Sequence, residues 1–175
     1  LFIDGPGMKT QYLIEQANAA QPALAVASSD FTWWKSADGQ HWRAYVDGLP
    51  DTSGKATEIQ LLTSLEGASH GVSGNYHYIV ETDISTASEE EFNAWYNTEH
   101  LPGLSRVPGT IRAQRYLRLS GSPRYIACYE LLSPAVMESQ EWLAIRHTAW
   151  SSRIRPMFMN TVRQLFIRHS TQVQP

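Results

Sequence analysis

Residues Ser88–Pro108, SEEEFNAWYNTEHLPGLSRVP, place Trp95, Tyr96, Asn97, Glu99 and His100 within six positions of one another. Ser88 opens a helix here. Glu91 completes the capping-box spacing, and Glu89 and Glu90 lie where the helix dipole favours negative charge. At about 3.6 residues per turn, Phe92, Trp95, Tyr96 and Glu99 form one stripe, flanked by a second of Asn93, Asn97 and His100. Packing needs only the apolar stripe; a polar stripe beside it is what a small-molecule pocket requires. Pro102 removes a backbone donor and crowds the preceding turn, so it kinks the helix or ends its first segment. Pro108-Gly109 then leads into a strand.

The segments around this stretch follow from their periodicity. Tyr76–Ile84 alternates, with Tyr76, Tyr78, Val80 and Ile84 on one face, as in a half-buried strand. Thr110–Leu119 and Arg124–Leu132 are two further strands joined by the loop Ser120–Pro123, hence a hairpin. Ser133-Pro134 starts a helix that runs to about Trp150, and Phe158–Arg168 is a fourth strand. The order βαββαβ is that of a ferredoxin-like unit. The first half reads as a worn copy: a helix over Thr10–Ala20, strands over Leu24–Trp34 and Trp42–Leu49 joined by a turn at Ser36–Gly39, and a helix over Ser53–Leu65. With Gly67–Gly74 as linker, the expectation is an α+β chain of two ferredoxin-like units, residues 1–72 (degenerate) and 73–175.

Composition narrows the function classes. At 42% apolar and 18% charged residues over 175 positions, the chain is globular rather than disordered. A net charge of -3 gives no footprint for nucleic acid. No apolar run approaches the roughly 20 residues of a membrane helix. The single cysteine, Cys128 in YIACYELL, forms no intrachain disulfide and reads as a buried small hydrophobe. That fits a reducing compartment, so a cytoplasmic location is expected. No signal peptide is visible, although the sequence begins at Leu1 and a leader can precede it. The arginines gathered between Arg106 and Arg168 read as solvated strand and helix faces rather than as an anion site.

The pattern FNAWYNTEHLPGLSRVPGTIRAQRY resembles the dimeric α/β-barrel superfamily, in particular its EthD-like members. Those share an aromatic-rich first helix, a His followed by Pro near its end, and a Pro-Gly leading into the second strand. The matching residues are Trp95, Tyr96, His100, Pro102, Pro108, Gly109 and Tyr116, within a resemblance over residues 75–168. The first half matches no family motif. The resemblance implies two four-stranded sheets packed face to face into a barrel. In most members two chains supply them, which makes a homodimer the expected assembly. A chain with two units could also close a barrel alone.

His100 is the first candidate for catalysis, since an ordinary histidine titrates near pH 6.5 and can both take and give a proton. Asn97 would orient it or hold a substrate oxygen. Trp95, Tyr96 and Glu99 would wall the pocket, with Tyr78 and Tyr116 as strand hydroxyls that polarise a carbonyl, and His147 and Trp150 reaching in from the second helix. The competing reading makes His100 a helix-end residue bonding the last carbonyls, and the tyrosines ordinary sheet aromatics. His77, on the strand face opposite Tyr76 and Tyr78, reads as a surface or helix-facing histidine. Arg153 and Arg155 read as part of a solvated loop. No nucleotide loop, HExxH or CxxC motif occurs, so neither a metal nor a cofactor is called for. The expected function is a cofactor-independent lyase, isomerase, dehydratase or cyclase that moves a proton on an apolar or aromatic carbonyl compound. The alternatives are a non-catalytic binding or accessory protein of a catabolic pathway, or a haem- or quinol-type oxygenase. The last is suggested by barrel relatives that use Asn, Trp and His around such groups.

Overall fold

The computed structural model describes residues 11–169, apart from 18, 19, 22, 23, 26–30, 49 and 53. Eight antiparallel strands close into one barrel in the order β1-β4-β3-β10-β7-β9-β8-β6. They are β1 (Gln11–Ala17), β3 (Trp33–Ser36), β4 (His41–Asp47), β6 (Lys55–Glu66), β7 (Tyr76–Asp83), β8 (Thr110–Arg118), β9 (Tyr125–Leu131) and β10 (Met159–His169). The short strands β2 (Leu24–Ala25) and β5 (Asp51–Thr52) pair separately.

Both halves of the barrel follow one rule. In β7–β10 the spatial order is second, third, first, fourth strand, the order of a ferredoxin-like sheet. Strands β1, β3, β4 and β6 repeat that order. The helices expected over Thr10–Ala20 and Ser53–Leu65 are instead the strands β1 and β6. Seven residues separate β4 from β6, too few for a crossover helix. Of the strand expected over Leu24–Trp34, residues 26–30 lie outside the described residues, and Trp33–Ser36 is extended. Within this one chain the inner faces of the two half-barrels bury each other.

The core has one layer inside the barrel, one outside the β7–β10 sheet, and a third cluster of Ile14, Trp33, Trp42, Ala44 and Val46 on β1, β3 and β4. Inside the barrel, Leu13, Trp34, Ile59, Ile79, Tyr116, Ile126, Cys128 and Phe166 pack together. On the outside of the β7–β10 sheet, Ala113, Ala127, Tyr129 and Leu131 meet a layer of helices. Those are α1 (Glu89–Trp95), α2 (Leu101–Ser105), α3 (Gln140–Arg146) and α4 (Ala149–Ile154). Phe92, Trp95, Leu101 and Leu104 are fully buried against the sheet. An aromatic side chain of this kind removes roughly 150–250 Å² from water, on the order of 4–6 kcal/mol each before entropy is counted. Gly109 turns the chain into β8 at φ 92, where a side chain would be strained and would press on Val136. Cys128 is buried as expected, and burial pushes its thiol up to about 12.

The helix ends differ from the sequence reading. A 3-10 turn, Thr86–Ser88, precedes α1, so Ser88 is already helical and makes no side-chain cap; the capping box does not form. Glu91 pairs instead with Arg153 at 2.6 Å on the surface. The helix expected from Ser133 to Trp150 is broken into a 3-10 turn (Pro134–Glu138), α3 and α4. Ser139 caps α3 through the N–H of Trp142, and Thr148 caps α4 through that of Ser151.

One end of the barrel interior is closed by ions. Arg43 pairs with Glu15 and, at 2.6 Å, with Glu81; Arg118 reaches Glu15 at 3.0 Å and Glu81 at 3.1 Å. Burial tends to raise the Glu15 carboxyl, but the two guanidinium groups outweigh it and hold the carboxyl below its ordinary value. Among the described residues, no helix is long and apolar enough to cross a membrane.

Candidate functional site

The helix layer bears a defect at the stretch that opened the sequence reading. Between α1 and α2, Tyr96–His100 form one π-helical turn, in which the N–H of Leu101 bonds the carbonyl of Tyr96, five residues back. Pro102 supplies a reason: it has no N–H for the carbonyl four residues before it, so the regular ladder cannot continue through this turn. Thr98 Oγ1 donates to the Ala94 carbonyl at 2.7 Å, occupying a neighbouring backbone acceptor. The turn is pinned from α4, where Thr148 Oγ1 donates to Glu99 at 2.6 Å and Trp95 Nε1 donates to Ser151 Oγ at 3.2 Å.

The wider turn rephases the side chains. In an α-helix, residues five apart point about 140° away from each other. Here His100 lies flat on Trp95, ring centroids 4.2 Å apart at 24°. Tyr96 meets the same imidazole edge-on at 5.4 Å. His100 is therefore turned toward the sheet, 8% exposed, with Nδ1 buried and unpartnered. Burial first, then Arg155, Arg115 and Arg146, lower its pKa to about 3. At that value the imidazole is neutral at physiological pH.

His100 lines a cavity with Tyr78, Trp95, Tyr96, Tyr129, Arg146, Arg155 and Arg163. The cavity holds about 40 Å³ and is open to solvent. No carboxylate among the described residues forms an ion pair with any of the three arginines. Burial, with Arg146 and Arg163 beside it, makes the Arg155 guanidinium easier to deprotonate than usual, the mark of crowded positive charge. The Tyr129 hydroxyl is buried without a partner. Burial raises Tyr96 to about 12, with Arg115 opposing, so its hydroxyl stays protonated. These groups form a donor-rich, positively charged pocket with aromatic walls, suited to an oxygen anion on a flat molecule.

Of the residues expected in the site, Tyr78, Trp95, Tyr96 and His100 converge on this cavity. Asn97 is exposed and accepts from Arg115 at 3.1 Å; Asn93 accepts from the same guanidinium at 2.8 Å. Together they hold Arg115, which is buried over the Tyr96 ring at 4.2 Å. Asn97 is thus no wall of the pocket and does not orient His100. Glu99 is held by Thr148. His147 is an exposed residue at the end of α3. Trp150 packs against the core beside the cavity without lining it. Tyr116 faces the barrel interior, stacked on Tyr45. His77 is not at the surface or under the helices; it too is inside the barrel. Arg146, Arg155 and Arg163 were read as solvated. Their signal in the sequence is spacing: Arg155 falls at the end of the helical run, and Arg163 lies on the helix-facing side of β10.

No family model matches the chain, nor does any curated protein. Solved structures do. An uncharacterized ferredoxin-fold protein related to antibiotic biosynthesis monooxygenases from Listeria monocytogenes superposes with a TM-score of 0.62 at 9% identity, covering 93% of this chain and 96% of that one. The heme-degrading enzyme LmHde from Listeria monocytogenes gives 0.59 at 9% identity, covering 89% and 98%. An anthrone oxidase-like protein gives 0.59 at 10% identity, covering 94% and 92%. At such identities the likeness shows the fold: a ferredoxin-type α+β sheet closed into a barrel, shared with monooxygenase-related proteins.

Proposed function

We propose that this protein is a cofactor-independent enzyme that binds a small aromatic carbonyl compound at the Trp95–His100 turn and stabilises it as its enolate or phenolate anion. The observation that carries the reading is the set of three arginines with no carboxylate partner among the described residues, beside aromatic walls. An acidic C–H or O–H next to such a cluster loses its proton more readily, because the anion is met by preorganised donors in a water-poor site. The proton leaves through the open mouth. Neutral His100 and Tyr129 hydrogen-bond the substrate oxygen, and Trp95 and Tyr96 set the plane of the ring. The EthD-like resemblance at Trp95, Tyr96, His100 and Pro102 supports the same site.

An anion of this kind isomerises, eliminates or cyclises. It is also the electron-rich form that dioxygen attacks without a cofactor, and the names of the monooxygenase-related and anthrone oxidase-like neighbours favour that oxidative variant. A haem does not fit: the cavity beside His100 holds about 40 Å³, against the roughly 300–1,000 Å³ typical of a site for a drug- or cofactor-sized ligand, so a substrate enters with its oxygen and ring edge while the rest lies in the open mouth. Cytoplasmic residence and a small-molecule partner belong to the same proposal.

The test uses 4-nitrophenol, whose phenolate absorbs apart from its phenol. Near pH 6 the bound dye is expected in the phenolate form. Arg155→Ala and Arg163→Ala each weaken binding about tenfold, a charged hydrogen bond lost. Absence of a bound phenolate signal, or a phenolate signal indifferent to both arginines, would overturn the reading.

A further inference from the structure

The barrel interior holds a second cavity, of about 430 Å³, on the other side of the sheet from His100. It falls within the size range of sites for small organic ligands. Its wall is an aromatic series. Trp34 and His77 stack at 4.8 Å and 23°, His77 shares a hydrogen bond with Tyr45 at 3.0 Å, and Tyr45 stacks on Tyr116 at 5.3 Å and 24°. Such faces take a flat π system.

Glu130 and Arg168 pair at 2.6 Å. Arg112 is exposed at the rim and stands opposite Glu130 on β9 and Glu66 on β6. His77 stays neutral, held down to about 3 by burial, Arg43 and Arg168. Among the described lining residues, the cation beside the aromatic wall, Arg168, is answered by Glu130, unlike the arginines of the helix-side cavity. The barrel cavity does offer an unanswered acceptor: Gln11 Oε1 is buried and unpartnered, while the Nε2 of the same amide donates to Asp47 at 3.0 Å.

We propose that the barrel interior is a second ligand site, one that takes a flat, uncharged aromatic molecule bearing a hydrogen-bond donor, a phenol being the simplest case. The ring lies against the Trp34–His77 and Tyr45–Tyr116 stacks, and its O–H or N–H donates to Gln11 Oε1. The site is independent of the proposed reaction, and the two ideas fail separately.

The experiment is a titration of the full chain with 2-naphthol near pH 6, where it is neutral, followed by calorimetry and by quenching of tryptophan emission. Gln11→Leu, checked for an unchanged melting temperature, is expected to weaken binding about tenfold, since a buried donor then lacks its acceptor. Arg155→Ala is expected to leave it unchanged. The anion 2-naphthoate is expected not to compete. The proposal is overturned by absence of binding, by binding that follows Arg155 instead of Gln11, or by equal competition from 2-naphthoate.

Discussion

Two histidines are folded into places where a proton is unwelcome, and acid should find them. His77, inside the barrel, and His100, under the helices, both have values of about 3 in the folded chain against an ordinary 6.5. Below 6.5 the unfolded chain takes a proton at each position that the folded chain refuses. The contribution is complete above that value and declines as pH falls toward 3. Each histidine changes stability by about 1.4 kcal/mol per pH unit within the window. Between about pH 7 and about pH 5 the loss comes to about 2 kcal/mol per histidine, and about 4 kcal/mol for both. Carboxylates with lowered values, such as Glu15 and Asp83, act below their ordinary 4.5 and 3.8, so this interval isolates the histidines from them. Urea unfolding at the two pH values measures the difference. His77→Gln and His100→Gln are each expected to remove about half of the pH dependence, and the double variant most of it. A stability unchanged over the interval, or a double variant as acid-sensitive as the parent, would refute the argument.

Other outcomes follow from single sites. Glu81→Ala leaves Arg43 and Arg118 short of their shared carboxylate inside the barrel and should cost about 3–5 kcal/mol in urea unfolding. Gly67→Ala would place a methyl 2.1 Å from the Thr110 carbonyl oxygen, so backbone must shift; a loss of about 1–3 kcal/mol is expected in thermal unfolding. Trp95→Ala removes a fully buried ring and the seat of His100, costing about 3–5 kcal/mol and abolishing the phenolate signal of bound 4-nitrophenol. Asn97→Ala loosens Arg115 without touching the cavity, so 4-nitrophenol affinity should change less than threefold, read by the same titration.

The second half of the chain was legible because its strands alternate cleanly and each faces two different layers. Tyr78 and Val80 go to the helices, while His77 and Ile79 go inside. The first half misled for identifiable reasons. Gln11–Ala17 and Lys55–Glu66 are rich in Leu, Glu and Gln, which favour helices when neighbours are ignored. In Lys55–Glu66 the register also shifts between Leu61 and Thr63, so the alternation that would announce a strand breaks midway. Closure of the barrel overrides local preference there. At the site, Trp95, Tyr96 and His100 were found together because they are close in sequence. Asn97 was misplaced because a period of 3.6 was carried through a turn that is not α-helical. The arginines escaped notice because α3, α4 and β10 bring them together only in the folded chain.

A barrel assembled from two identical chains must build every feature twice. This one draws both halves from a single polypeptide with the same strand order in each, so a change in one half has no mirror image in the other. Helices and arginines stand over β7–β10, while the strands from the first half complete the ring. The proposed helix-side site therefore occurs once per chain, and its ligand is expected to saturate along a simple hyperbola.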